Sequence, residues 1–176
     1  MKEKALEIFK IGIKFRHWGE LYLGCKTQWI TPNDVLFFCK NKKIKPAGGT
    51  DYISLYLAFE NSLFQFYEQL KILVLETVGV PIIKNEDELS ENVYDYIPSE
   101  YFKIWELEFL LRIKNAPLNN AEKLDEIAFL FDAMNYPEAW KSFLYYQQQK
   151  NGMLLSNAAL YQNFTNYIDK EILVLS

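Results

Sequence analysis

Histidine is almost missing from this chain: His17 is the single one in 176 residues, and Cys25 and Cys39 are the only cysteines. A His/Cys zinc cluster and a disulfide scaffold need more than this, and a Ser, Cys or Thr nucleophile activated by an imidazole would have to use His17. Nothing close to His17 in sequence completes a catalytic triad, and beside Trp18 it reads as a partly buried helix residue. A glycine-rich phosphate loop and a His-Glu-x-x-His zinc helix are also lacking; Gly48-Gly49 reads as a hinge or cap. No apolar run reaches the ~18 residues of a membrane span, and the best one, Ile72 to Val80, is broken by Glu76 and Thr77. The opening Met1-Lys2-Glu3-Lys4-Ala5-Leu6-Glu7 has neither the apolar stretch nor the cleavage site of a secretory signal. The expectation is a cytoplasmic chain with reduced thiols, no membrane partner, no metal and no cofactor.

Aromatic and apolar residues are abundant. Thirteen Phe, twelve Tyr and four Trp, in a chain that is 50% hydrophobic, supply a continuous core and exclude disorder. The length suits one domain, residues 1–176. Charge is unevenly spread: residues 1–50 hold ten Lys and Arg against four Asp and Glu, and residues 51–176 hold nine against nineteen. With a pI of about 5.2, direct nucleic-acid binding is disfavoured, because phosphate neutralisation supplies most of that affinity. An acidic surface suits a basic macromolecular partner instead.

Periodicity predicts helices throughout. Leu6, Phe9 and Ile13 suggest a helix within 3–16, with Gly12, Gly19 and Gly24 weakening any long continuation. Thr31-Pro32-Asn33-Asp34 is a start signal: a threonine N-cap, proline at the first helical position and acid in the first turn. Lys40 to Lys45 ends that helix, and Thr50 or Asp51 caps the next. Residues 52–78 form a central helix interrupted near Asn61-Ser62, in which the run Ile72 to Leu75, strand-like by itself, takes helix from its context, and Gly79-Val80-Pro81 stops it. Pro98-Ser99-Glu100 opens a helix with Phe102, Trp105, Phe109 and Ile113 on one face. Ala121 to Phe131 is amphipathic, Pro137 starts a short helix burying Trp140, Phe143 and Leu144, and Ser156 caps a last helix to Ile172. A short strand at Glu171 to Leu175 would need a partner. The fold class is therefore all-α, a single-domain bundle of about seven or eight helices.

Carboxylates are the remaining source of chemistry. Glu106 with Glu108, and Asp125 with Glu126, sit at spacings that diverge around a helix and read as solvated surface. Asp132, between Phe131 and the Tyr136-Pro137 turn, suits accepting backbone hydrogen bonds at a helix break. The densest acidic stretch is Glu86, Asp87, Glu88, Glu91, Asp95 and Glu100, interleaved with Tyr94, Tyr96 and Tyr101. Acid flanked by aromatic anchors fits a protein-binding surface, and an ordinary acidic loop is the competing reading.

One segment has an individual signature: Lys123-Leu124-x-x-Ile127, then Phe131-Asp132-x-x-Asn135-Tyr136-Pro137-Glu138, then Ser142-Phe143-x-x-Tyr146. Together with Trp29-Ile30-Thr31-Pro32-Asn33-Asp34-Val35 and the helix around Lys103 to Leu111, it resembles a family of otherwise uncharacterised small bacterial proteins similar to immunity proteins of contact-dependent growth inhibition and related polymorphic toxin systems. The resemblance implies a non-enzymatic protein that captures the C-terminal domain of a cognate toxin, an RNA-cleaving nuclease of the EndoU type. Its active or substrate-binding surface would be occluded. Asp132, Tyr136, Pro137 and Tyr146 are implied as architectural positions of the family pattern. A helical scaffold and a small carboxylate-dependent hydrolase remain the alternatives.

Overall fold

The computed structural model describes residues 5–45, 49–79, 97–144 and 154–176. Among these it is all-helical, with eight α-helices, two 3-10 segments and no strand; a lone parallel bridge joins Phe15 and Ile44. Residue contacts divide the chain into two compact units, Met1–Trp105 and Glu106–Ser176.

The first unit contains α1 (Glu7–Lys10), α2 (Trp18–Lys26), α3 (Pro32–Lys40), α4 (Gly49–Asn61), α5 (Leu63–Val78), the 3-10 segment Ser99–Phe102 and the start of α6 (Lys103–Asn115). α1 is far shorter than the periodicity of residues 3–16 suggested. Gly12, at φ +82°, closes it after one turn: the N–H groups of Gly12 and Ile13 return to the carbonyls of Phe9 and Ile8 at 3.2 and 3.0 Å, a left-handed C-terminal cap that suits glycine. α3 begins as its sequence signals require. Thr31 Oγ1 accepts from Asp34 N–H at 3.3 Å, and the Asp34 carboxylate accepts from Thr31 N–H at 2.8 Å, so two orphan donors are satisfied reciprocally. The expected break at Ser62 is present, with Ser62 Oγ capping Gln65 N–H at 3.1 Å. α4, however, starts at Gly49, so Thr50 and Asp51 lie inside the helix and do not cap it.

α2 is the centre of this unit. All its residues from Trp18 to Cys25 are buried, as expected of a helix covered on every side, and α5 and the 99–102 segment pack against it. Two of its glycines serve approach and not flexibility: a Cβ on Gly19 would lie 2.5 Å from the Tyr101 ring, and one on Gly24 would lie 2.3 Å from the Trp105 ring. Trp105 also stacks obliquely on Phe15 and Trp29. Burial pushes the Cys25 and Cys39 thiols up to about 12.

The second unit holds the rest of α6, α7 (Asn120–Ala133), the 3-10 segment Glu138–Phe143 and α8 (Asn157–Leu175). Its core is a train of rings, Phe131 to Trp140 to Phe143 to Phe164, with Leu124, Ile127, Leu160 and Ile168 buried around it. Lys123 turns inward, giving its ammonium to the Lys114 carbonyl at 2.6 Å and lying over the Tyr161 ring; it thereby caps an orphan carbonyl at the end of α6. Residues 171–175 are the last turns of α8, so the short terminal strand does not form: Ile168 and Ile172 extend the 3.6-residue period of the preceding turns. On α6 the shared face is also different from expectation. Ile104, Trp105, Leu107, Leu110 and Leu111 are buried, whereas Phe102, Phe109 and Ile113 are half-buried.

Candidate functional site

Of the acidic and aromatic stretch singled out from sequence, Glu86, Asp87, Glu88, Glu91, Tyr94, Asp95 and Tyr96 lie outside the described residues, as does Tyr146. Glu100 is exposed. Tyr101 is only 7% exposed; its ring lies flat on His17, centroids 4.4 Å apart and planes 10° from parallel, so it is not presented to a partner as an anchor. His17 occupies the N-cap of α2, where burial and then Arg16 hold its pKa below the usual value while Glu100 opposes them. Glu20, 3% exposed, accepts from the backbone N–H groups of Arg16 and His17 at 2.6 and 3.1 Å. Burial outweighs these bonds and lifts its pKa to about 7. Both backbone donors of the preceding turn converge on Oε2, the geometry of a helix-capping carboxylate.

Glu106 and Glu108 correct the reading of solvated surface: they are 7% and 0% exposed, and Glu108 pairs with Arg112 at 2.6 Å. The i, i+2 spacing diverges around a helix, but α6 is enclosed on most sides, so both directions point inward. No group of three or more His, Cys, Asp or Glu side chains suited to a metal occurs among the described residues.

The signature segment is architectural in detail. α7 ends in a Schellman motif: Asn135 N–H reaches the Asp132 carbonyl at 3.0 Å and Tyr136 N–H reaches the Phe131 carbonyl at 2.9 Å, with Asn135 and Tyr136 both left-handed. The Tyr136 ring packs edge-on against Phe131 at 5.3 Å, the apolar contact that accompanies this motif. The Asp132 carboxylate accepts from the Tyr136 hydroxyl, a side-chain donor in place of the backbone donors expected. Pro137 then starts the 3-10 segment, its carbonyl receiving Trp140 N–H at 3.0 Å.

The opposite face of α7 is the site that sequence reasoning passed over. Phe129 is 82% exposed, and its helical neighbours at i−4, i−3 and i+3 are Asp125, Glu126 and Asp132, all exposed. Exposed Tyr136 and Glu138 follow, Glu138 already paired with Lys141 at 2.5 Å. Lys123 is the one basic residue of α7 and is turned to the core, so nothing on the helix neutralises this face. Glu122 and Glu126, like charges at i, i+4, even work against the helix. The signal was present in the string: 125/126, 129, 132 and 136 repeat at helical spacing, out of phase with Leu124, Ile127 and Phe131. Such a face can bind a cationic surface that offers an apolar recess for the ring.

No curated protein and no solved structure matches this chain. A family model described as "Uncharacterized protein conserved in bacteria (DUF2247)" matches residues 7–172. With nearly its whole length inside that match, the chain belongs to this bacterial family.

Proposed function

We propose that the protein is an immunity protein: it acts in the cytoplasm by binding the C-terminal domain of a cognate toxin and covering its active or substrate-binding surface, with no chemistry of its own. The observation that carries this reading is the solvent-facing Phe129 set among Asp125, Glu126 and Asp132. Leaving a phenyl ring in water forgoes roughly 2 kcal/mol of burial, and ringing it with carboxylates that have no exposed cation on the same helix adds repulsion, so the face serves a partner better than it serves the fold. Carboxylates would draw a basic RNA-binding surface in and orient it; the ring would supply the desolvated centre that dominates interface energies. The resemblance of residues 123–146 to immunity proteins points the same way, and it makes an RNA-cleaving nuclease of the EndoU type the toxin class to examine.

Co-expression tests the reading. Cells carrying the toxin domain encoded beside this chain should survive only when the chain is present, and death in both cases would end the proposal. Charge reversal at Asp125 and Glu126, compared with reversal at Glu86, Asp87 and Glu88, then decides which group of acids holds the toxin.

A further inference from the structure

We propose that Phe129 on α7 receives an arginine of the toxin domain, whose guanidinium lies across the ring between Asp125 and Glu126 on one side and Asp132 on the other; this rests on the toxin-binding reading of the same face. Phe129 is 82% exposed. Asp125 and Glu126 lie one helical turn before it and Asp132 one turn after, all exposed, and the exposed neighbour at i+4, Ala133, leaves room beside the ring. A wholly apolar partner would have to strip water from three carboxylates to reach that ring. A lysine ammonium is a compact, strongly hydrated charge that meets one of them. A guanidinium is weakly hydrated and planar, with its N–H donors in the plane. Stacked on Phe129, its face is satisfied by the ring, while its edges turn toward carboxylates in both directions.

Tyr136 fixes the far end of this cradle. Its backbone is left-handed, φ +57°, a conformation that glycine or asparagine adopts at less cost. The contact of its ring with Phe131 would be made equally by a phenylalanine. What the hydroxyl adds is its bond to Asp132 Oδ1, made between two exposed side chains and therefore worth little to the fold. Its effect is to hold that carboxylate in one orientation, a turn away from the ring, with Oδ2 left for an incoming donor. Tyr136 is thus a positioning residue that acts on the partner through Asp132.

Titration of the full chain with hexa-arginine and with hexalysine, followed by calorimetry and by amide chemical shifts, reads the proposal without any toxin. Hexa-arginine should bind about tenfold more tightly than hexalysine, with its shifts centred on Phe129 and Asp132. Phe129→Leu, which keeps apolar bulk and removes the aromatic face, should bring the two affinities together. Tyr136→Phe should weaken hexa-arginine about threefold at unchanged hexalysine affinity and unchanged helical circular dichroism. Equal affinities in the wild type, a preference that survives Phe129→Leu, shifts centred elsewhere in the chain, or a Tyr136→Phe variant that weakens both peptides alike would each overturn it. Co-expression fails separately: a toxin left unneutralised ends the immunity reading, whereas neutralisation alongside equal peptide affinities ends only the arginine assignment.

Discussion

The indole N–H of Trp105 donates to the Glu20 carbonyl at 2.7 Å across 85 residues of sequence, and its ring rests where a side chain on Gly24 would be. That contact ties the start of α6 to the middle of α2. Gly24→Ala gains about 1 kcal/mol of helix propensity, but the new methyl would meet a rigid indole at 2.3 Å and Ile30 at 2.9 Å. Overpacking wins, and we expect a net loss of about 1–3 kcal/mol, read as a lowered midpoint in chemical denaturation. An unchanged midpoint would mean that Trp105 is free to move aside.

Glu20 links folding to pH. Its carboxyl titrates at about 7 when folded against a reference of 4.5, so between these values the folded chain binds a proton that the unfolded chain releases. Stability from this group is therefore greatest below 4.5 and declines as pH rises toward 7, by at most about 3 kcal/mol. Glu20→Gln, which keeps an acceptor for the two backbone donors, should remove that slope. The measurement is the difference in melting temperature between wild type and variant from pH 4.5 to 7.5; parallel curves would refute the assignment.

Lys123 is predicted to matter for stability and not for charge display. Lys123→Met preserves the stem while stripping the donor from the Lys114 carbonyl, at an expected cost of about 1–3 kcal/mol. Thermal melting reports it. If Lys123 instead contributed only a solvated charge, the change would stay within about 0.5 kcal/mol.

Phe129 should behave in the opposite manner. Phe129→Ala should leave stability within about 0.5 kcal/mol of the wild type while weakening toxin binding by about 2 kcal/mol, measured by calorimetry with the purified toxin domain. Equal affinity would remove the ring from the interface.

Local signals were readable in the string because their hydrogen bonds close within four residues. Thr31 with Asp34, Ser62 with Gln65 and Ser156 with Ala159 each cap the helix that their spacing announces. The start of the short helix at Pro137 was legible for the same reason, its carbonyl receiving Trp140 N–H three residues on, whereas the left-handed end of α7 and the Tyr136 partner of Asp132 were not. Packing across long separations was not: Gly19 and Gly24 looked like weak points of a helix, and only the arrival of Tyr101 and Trp105 explains them. Glu106 and Glu108 were misjudged on similar grounds, since helical spacing says which way a side chain points and nothing about what covers it. The α7 face is not marked by acid density in the string; it emerges only from which acids share a helix face with an unburied ring.

The deep thiols of Cys25 and Cys39 have a practical corollary. Held up to about 12, they stay protonated and unreactive near neutrality, so the native chain is a silent background for thiol-directed dyes. A cysteine introduced beside the ring, at exposed Ala133, would take the label alone and turn that surface into a fluorescent reporter of whatever docks there.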